Sequence, residues 1–182
     1  MMRAKVFWVR GPWPGRLGIL LRPRGGDWLA DETKSWREAG IDSVVSLLER
    51  DEQAQLDLEG EAQAAAASGV EFASFPIPDR GIPASDESAA ELVNNVVDAL
   101  DRGRSVAIHC RQGIGRSALI AGAVLVAEGQ GMPAALRAIK ESRGLDVPET
   151  DEQRQWLRDF ASRLTRRPAA QHRAAPDGRK MA

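Results

Sequence analysis

Residues Ser105 to Ala127 constrain this chain more than any other segment. Ser105-Val106-Ala107-Ile108 is short, apolar and partly β-branched, which predicts a buried strand. Ala118-Leu119-Ile120-Ala121-Gly122-Ala123-Val124-Leu125-Val126-Ala127 carries no charge and predicts a helix buried on all sides. Between them lies His109-Cys110-Arg111-Gln112-Gly113-Ile114-Gly115-Arg116-Ser117. A buried strand running straight into a buried helix requires a sheet with helical layers around it. The connecting loop then sits at the carboxyl end of the strand and the amino end of the helix, where open α/β sheets bind ligands.

The chemistry of that loop follows from its residues. Unpaired N–H groups at a helix start attract anions, and the helix dipole adds to this. Gly113 and Gly115 let successive N–H groups curl inward as an anion nest. Cys110 is the single cysteine of the chain. Helix N-termini and neighbouring cations favour the thiolate, so the field that holds an oxyanion also activates the nucleophile. Five residues further on, Arg116 can grip two oxygens of a phosphate at once, a geometry that lysine lacks. The Ser117 hydroxyl is placed to donate to the sulfur when it departs. A lone cysteine is most often a small buried hydrophobe; the spacing, the glycines and the strand–loop–helix setting favour the nucleophile.

The run from His109 through Cys110-x5-Arg116-Ser117 resembles the signature of the cysteine-dependent protein tyrosine phosphatase superfamily, in its dual-specificity-like branch. The likeness covers roughly residues 40 to 160. The opening Phe7-Trp8-Val9 and Gly11-Pro12-Trp13-Pro14-Gly15 is similar to that of short bacterial members. The resemblance implies a phosphomonoester hydrolase working through a phosphocysteine, with residues Arg111, Gln112, Gly113, Ile114, Gly115 and Arg116 as the phosphate loop and Cys110 and Arg116 as its catalytic pair. It implies that His109 orients the loop by hydrogen bonding.

Such a reaction needs a proton for the leaving oxygen. Asp79 lies in Phe75-Pro76-Ile77-Pro78-Asp79-Arg80-Gly81-Ile82-Pro83, a loop stiffened by three prolines after the strand Val70–Phe75. By the resemblance, Asp79 is the general acid. Pro78 and Asp79 match the family's Trp-Pro-Asp, and Ile77 replaces its tryptophan. Asp79 as a mere turn residue is the plainer alternative. Asp86 is the competing carboxylate, but Ser85 and Asp86 read as the start of a helix over Ser88–Leu100. Glu149-Thr150-Asp151-Glu152-Gln153 is similar to the family's Gln-Thr-x-x-Gln loop, with Glu149 departing from it. The resemblance assigns Gln153 to positioning the attacking water, and the same residues form a capping box for the last helix.

The remaining chain predicts an α/β fold: a three-layer, mostly parallel central sheet flanked by helices, protein tyrosine phosphatase-like, with an N-terminal edge hairpin of Lys5–Val9 and Leu17–Leu21. Helices are expected over Trp28–Ala39, Asp51–Ala67, Pro133–Ser142 and Asp151–Leu164, with a strand at Ser43–Leu48. Residues 1–165 read as the phosphatase domain and 166–182 as a disordered basic tail without apolar periodicity. A formal net charge of −1 over 182 residues argues against nucleic-acid binding. No apolar run is long enough for a membrane span, and the N-terminus lacks a signal peptide. A single nucleophilic thiol suits a reducing compartment, giving a cytoplasmic expectation. No metal and no cofactor are expected.

The chain has no tyrosine, and neither active loop contains a tryptophan. A shallow site is therefore expected, open to phosphotyrosine and to phosphoserine or phosphothreonine in a phosphorylated protein partner. Arg111 gives a second reading, an inositol-phosphate or phosphoinositide phosphatase. Sulfur transfer on a rhodanese-type loop and an inactive phospho-binding module are the readings from other classes; the five-residue gap and the filled Cys110, Arg116 and Asp79 positions argue against them.

Overall fold

The computed structural model describes residues 4–164. The tail expected over 166–182 lies outside the described residues. Two strands open the chain, β1 (Val6–Val9) and β2 (Arg16–Leu20), followed by a single 3-10 turn and helix α1 (Leu29–Glu38). Then come β3 (Ser43–Ser46), α2 (Arg50–Gln55), α3 (Glu61–Ala67), β4 (Glu71–Ser74), α4 (Asp86–Asp101), β5 (Ser105–His109), α5 (Gly115–Ala127), α6 (Met132–Arg143) and α7 (Asp151–Arg163). The sheet order is β1-β2-β5-β3-β4. Only the β1–β2 pair is antiparallel; β2 and β3 both run parallel to β5. The mostly parallel sheet with an N-terminal edge hairpin is therefore present as expected.

Central β5 is buried along its whole length. Side chains alternate across it. Val106 and Ile108 join the larger core under α4, α5, α6 and α7. Ala107 faces the opposite core, with Trp36 of α1 and Ala65 of α3. This alternation produces the three layers. Helix α5 runs beneath the first of them, with eleven residues buried from Gly115 to Leu125, so its apolar sequence is satisfied on every side.

One element differs from expectation. The segment read as a single helix over Asp51–Ala67 breaks into α2 and α3. Asp57 adopts a left-handed backbone (φ 53°) and its carbonyl accepts from Gly26 N. Leu58 then inserts, fully buried, between Leu29 and Leu48. Asp tolerates the left-handed region better than most residues, and burying a leucine is worth about 1.5–3 kcal/mol, enough to outweigh local helix propensity. Later in the chain, α6 carries Pro133 in its first turn and closes on Gly144 in the left-handed conformation (φ 71°). No helix among the described residues is long and apolar enough to cross a membrane.

Candidate active site

The loop after β5 is shaped by contacts its own residues cannot supply. Gly113 has φ 62°, and a Cβ there would stand 2.6 Å from the Leu20 carbonyl at the end of β2. Only glycine fits both the dihedral and the close approach. The loop ends at Ile114, and α5 begins at Gly115, so Arg116 and Ser117 lie in its first turn. Cys110 is 3 % exposed. It lines a cavity of about 200 Å³ with Asp79, Arg80, Arg111, Gln112, Ile114, Gly115, Arg116 and Glu149. Of the phosphate-loop residues named from the sequence, only Gly113 is not part of the lining. Neither phenylalanine nor tryptophan lines it. A larger open depression of about 400 Å³ beside α6 and the hairpin contains no thiol.

Arg116 is nearly sealed from solvent, at 2 % exposure. Its Nη1 and Nη2 donate to Glu52 Oε2 and Oε1 at 2.6 and 2.9 Å, a parallel two-bond fork. Nη1 also reaches the carbonyls of Leu47 (3.3 Å) and Ile77 (2.9 Å), and Nη2 reaches Asp79 Oδ1 at 3.1 Å. One guanidinium thus joins the end of β3, the start of α2 and the proline-rich loop of Asp79, the acid loop of the sequence expectation. Burial acts against its charge. The Glu52 hydrogen bonds, the charge of Cys110 and the charges of Glu52 and Asp79 outweigh burial and raise its pKa above the ordinary arginine value. Burial likewise acts to raise the Glu52 pKa. The hydrogen bonds from Arg116 and from Glu49 N, with the charges of Arg116 and Arg111, prevail and hold it below the usual carboxylate value.

Glu52 was not found by sequence reasoning. Read locally it is one acidic residue on a polar helix start, and its capping-box contact to Glu49 N (3.0 Å) is the only short-range signal it carries. Its partner stands 64 positions away. Arg111 Nη1 lies 3.8 Å from the same carboxylate, on the exposed side.

The acid loop arrives through Ile77, which is fully buried and offers its carbonyl to Arg116. The replacement of the family's tryptophan therefore leaves this loop docked on the arginine. Asp79 follows at the cavity mouth with a side chain 60 % exposed. Its rival Asp86 is engaged elsewhere: it accepts from Trp156 Nε1 (2.9 Å) and pairs with Arg163 (2.8 Å), behind Ser85 as the N-cap of α4.

Three expected side-chain roles meet different geometry. Among the described residues, neither ring nitrogen of His109 makes a hydrogen bond. Its Nε2 lies 2.8 Å from Glu61 Oε1, both side chains buried, without hydrogen-bond geometry. Ser117 Oγ is buried with no hydrogen-bond partner among the described residues, the sulfur included. The Gln153 amide is tied to backbone on both sides: Oε1 accepts from Glu149 N and Thr150 N, and one Nε2 N–H donates to Gly81 O at 2.9 Å. Gln153 therefore ties the acid loop to the start of α7, and the residue from this segment that reaches the cavity is Glu149.

Arg143, at the last turn of α6, also escaped the sequence reading. Its Nε donates to Gly113 O at 2.7 Å and its Nη2 to Gln112 O at 3.2 Å. Its guanidinium rests 3.9 Å from the Phe7 ring centroid. Burial lowers its pKa, against the opposing influence of the Cys110 charge.

Residues 20–130 match the family model described as polymorphic toxin system, DSP-PTPase phosphatase. The chain is 26 % identical over 135 residues to cyclin-dependent kinase inhibitor 3 of Rattus norvegicus, and 24 % identical over 135 residues to the Homo sapiens protein. Each alignment covers 73 % of this chain and 63 % of the relative, so the chain spans less than two thirds of the length of these curated relatives. The crystal structure of kinase associated phosphatase with its catalytic-site cysteine substituted by serine superposes with a TM-score of 0.82 at 21 % identity, covering 90 % of this chain and 97 % of that one, a likeness of fold. Tk-PTP in the active form superposes with a TM-score of 0.69 at 29 % identity, covering 82 % and 93 %.

Proposed function

Because the chain belongs to the cysteine-dependent protein tyrosine and dual-specificity phosphatase family, we propose that residues 1–165 hydrolyse phosphomonoesters through a phosphocysteine formed on Cys110. The observation that carries this reading is the convergence of Cys110, Arg116 and Asp79 on one small cavity, with Arg116 in contact with Asp79 Oδ1 at 3.1 Å.

The Cys110 thiolate attacks phosphorus, an S–P bond forms and the P–O bond to the leaving group breaks. Asp79 delivers its proton to that oxygen. Water then attacks the phosphocysteine, Asp79 takes the water proton, and the S–P bond breaks to return the thiolate and release inorganic phosphate. The backbone N–H groups of residues 111–115 and the Arg116 guanidinium hold the phosphate oxygens. Entering phosphate replaces Asp79 on Arg116 Nη2, which frees the carboxyl to face the leaving oxygen. The unpartnered Ser117 hydroxyl is available to the departing sulfur. His109 and Gln153 act from outside the cavity, His109 behind the nucleophile and Gln153 through the acid loop. No metal or cofactor enters this reaction.

The substrate assigned is a phosphorylated protein bearing phosphotyrosine, with phosphoserine and phosphothreonine also accepted, since no aromatic wall deepens the cavity. A reducing compartment such as the cytoplasm keeps the nucleophile active. A second reading, an inositol phosphate or phosphoinositide, rests on the two guanidiniums of Arg80 and Arg111, which are 65 % and 43 % exposed beside the mouth. The test is turnover of p-nitrophenyl phosphate, phosphopeptides and phosphoinositides by the wild type and by Cys110→Ser. Phosphate release by the wild type alone supports the reading. Activity confined to thiosulfate and cyanide would replace it with sulfur transfer.

A further inference from the structure

We propose that Arg143 is a positioning residue that sets the direction of two N–H groups in the phosphate loop. The inference rests on the phosphate-binding role assigned to that loop above. In a trans peptide, the C=O of one residue and the N–H of the next lie in one plane and point in opposite directions. The peptides on either side of Gly113 are trans, as the single cis bond of the described residues is Val147–Pro148. Arg143 holds the carbonyls of Gln112 and Gly113 at 3.2 and 2.7 Å. It thereby turns the N–H groups of Gly113 and Ile114 away from itself. Arg143 is outside the cavity lining, whereas Gln112, Ile114 and Gly115 belong to it. These N–H groups, on the far side of their peptides from Arg143, are the ones that would meet an anion in the cavity.

Two surfaces hold the clamp in place. Leu20 O blocks the loop from the β2 side, where Gly113 has no room for a Cβ. The Phe7 ring carries the guanidinium at 3.9 Å, so β1 supports the phosphate loop through the Arg143 side chain while β2 touches it directly. The planar fork of arginine matches two adjacent carbonyls from two separate nitrogens, while a lysine ammonium carries its three donors on one nitrogen without that fixed spread.

The test measures inorganic phosphate binding to the wild-type chain by calorimetry, beside Arg143→Met, Arg143→Lys and Phe7→Leu, with kcat, KM and Tm for each. Losing two charge-assisted hydrogen bonds predicts phosphate affinity roughly tenfold weaker in Arg143→Met. Arg143→Lys should fall between it and the wild type, and Phe7→Leu should lose about two- to fivefold. KM should rise more than kcat falls, because Cys110 and Asp79 both keep their side chains, and Arg143→Lys also keeps a cation near the sulfur. A merely structural role would lower Tm and the active fraction while the folded fraction bound phosphate normally. Wild-type phosphate affinity in both arginine variants overturns the inference and leaves the proposed hydrolase standing. No phosphate binding by the wild type removes both.

Discussion

Arg116 and Glu52 meet as a two-bond fork, 2.6 and 2.9 Å, with side chains only 2 % and 9 % exposed. The residue proposed to hold phosphate is therefore oriented before any phosphate arrives. Removing one member of a buried pair leaves the other charge uncompensated, at a cost of about 3–5 kcal/mol. Glu52→Ala should lose about that much stability in urea unfolding. Glu52→Gln keeps the shape and one acceptor, and should lower kcat/KM roughly tenfold while the fold survives. Unchanged kcat/KM in Glu52→Gln would show that the fork does not prepare Arg116.

The same pair has a pH signature. The Glu52 pKa is lowered from 4.5, and that of Asp42 from 3.8, the latter chiefly by the Ser105 N–H. For carboxylates depressed in the folded state, the unfolded chain binds more protons, so stability rises with pH. Their contribution is complete above the ordinary carboxylate values and is lost as pH falls through the depressed ones. Urea midpoints should hardly change between about pH 7 and pH 5 and should fall steeply below about pH 4. In Glu52→Gln the acid decline should be shallower; an identical decline would assign it to other carboxylates.

The acid assignment separates by substitution. Asp79→Asn should lower kcat by about 10²–10⁴ and flatten the basic limb of the pH–rate profile. Asp86→Asn should keep kcat within about twofold of the wild type and lower Tm instead, because Asp86 holds Trp156 and Arg163. The reverse pattern would exchange their roles.

Gly113→Ala is a stringent test of the loop. A left-handed non-glycine residue costs about 1–3 kcal/mol, and the added Cβ collides with the Leu20 carbonyl. Phosphate affinity should fall together with Tm. Gly129, also left-handed but with nothing near its Cβ, provides the matched control: Gly129→Ala should lose stability without losing phosphate affinity.

What the sequence made legible follows the range of the signal. Strand, loop and buried helix around Cys110 are written in consecutive residues, as are the hairpin and the Gly144 stop. Asp79 could be named because a proline-rich loop marks itself. The split of α2 from α3 could not, since Leu58 leaves the helical path for partners at Leu29 and Leu48. Glu52 and Arg143 were illegible for the same reason: each looks like an ordinary helical surface charge, and each acquires its role from a contact about thirty or more positions distant. Gln153 carried two readings, and the capping box with Thr150 is the one that neighbouring residues encode by themselves.

Cys110 is the sole sulfhydryl in the chain and stands inside the cavity. The protein thus carries its own stoichiometric counter. Any thiol-directed label that adds to the native protein must report on the reactive centre, with no background from a second sulfur. Intact-mass spectra should show one adduct per competent molecule, and inorganic phosphate should slow its appearance. A preparation's working fraction, and every turnover number derived from it, can then be fixed by weighing the protein and not by assuming that all of it is alive.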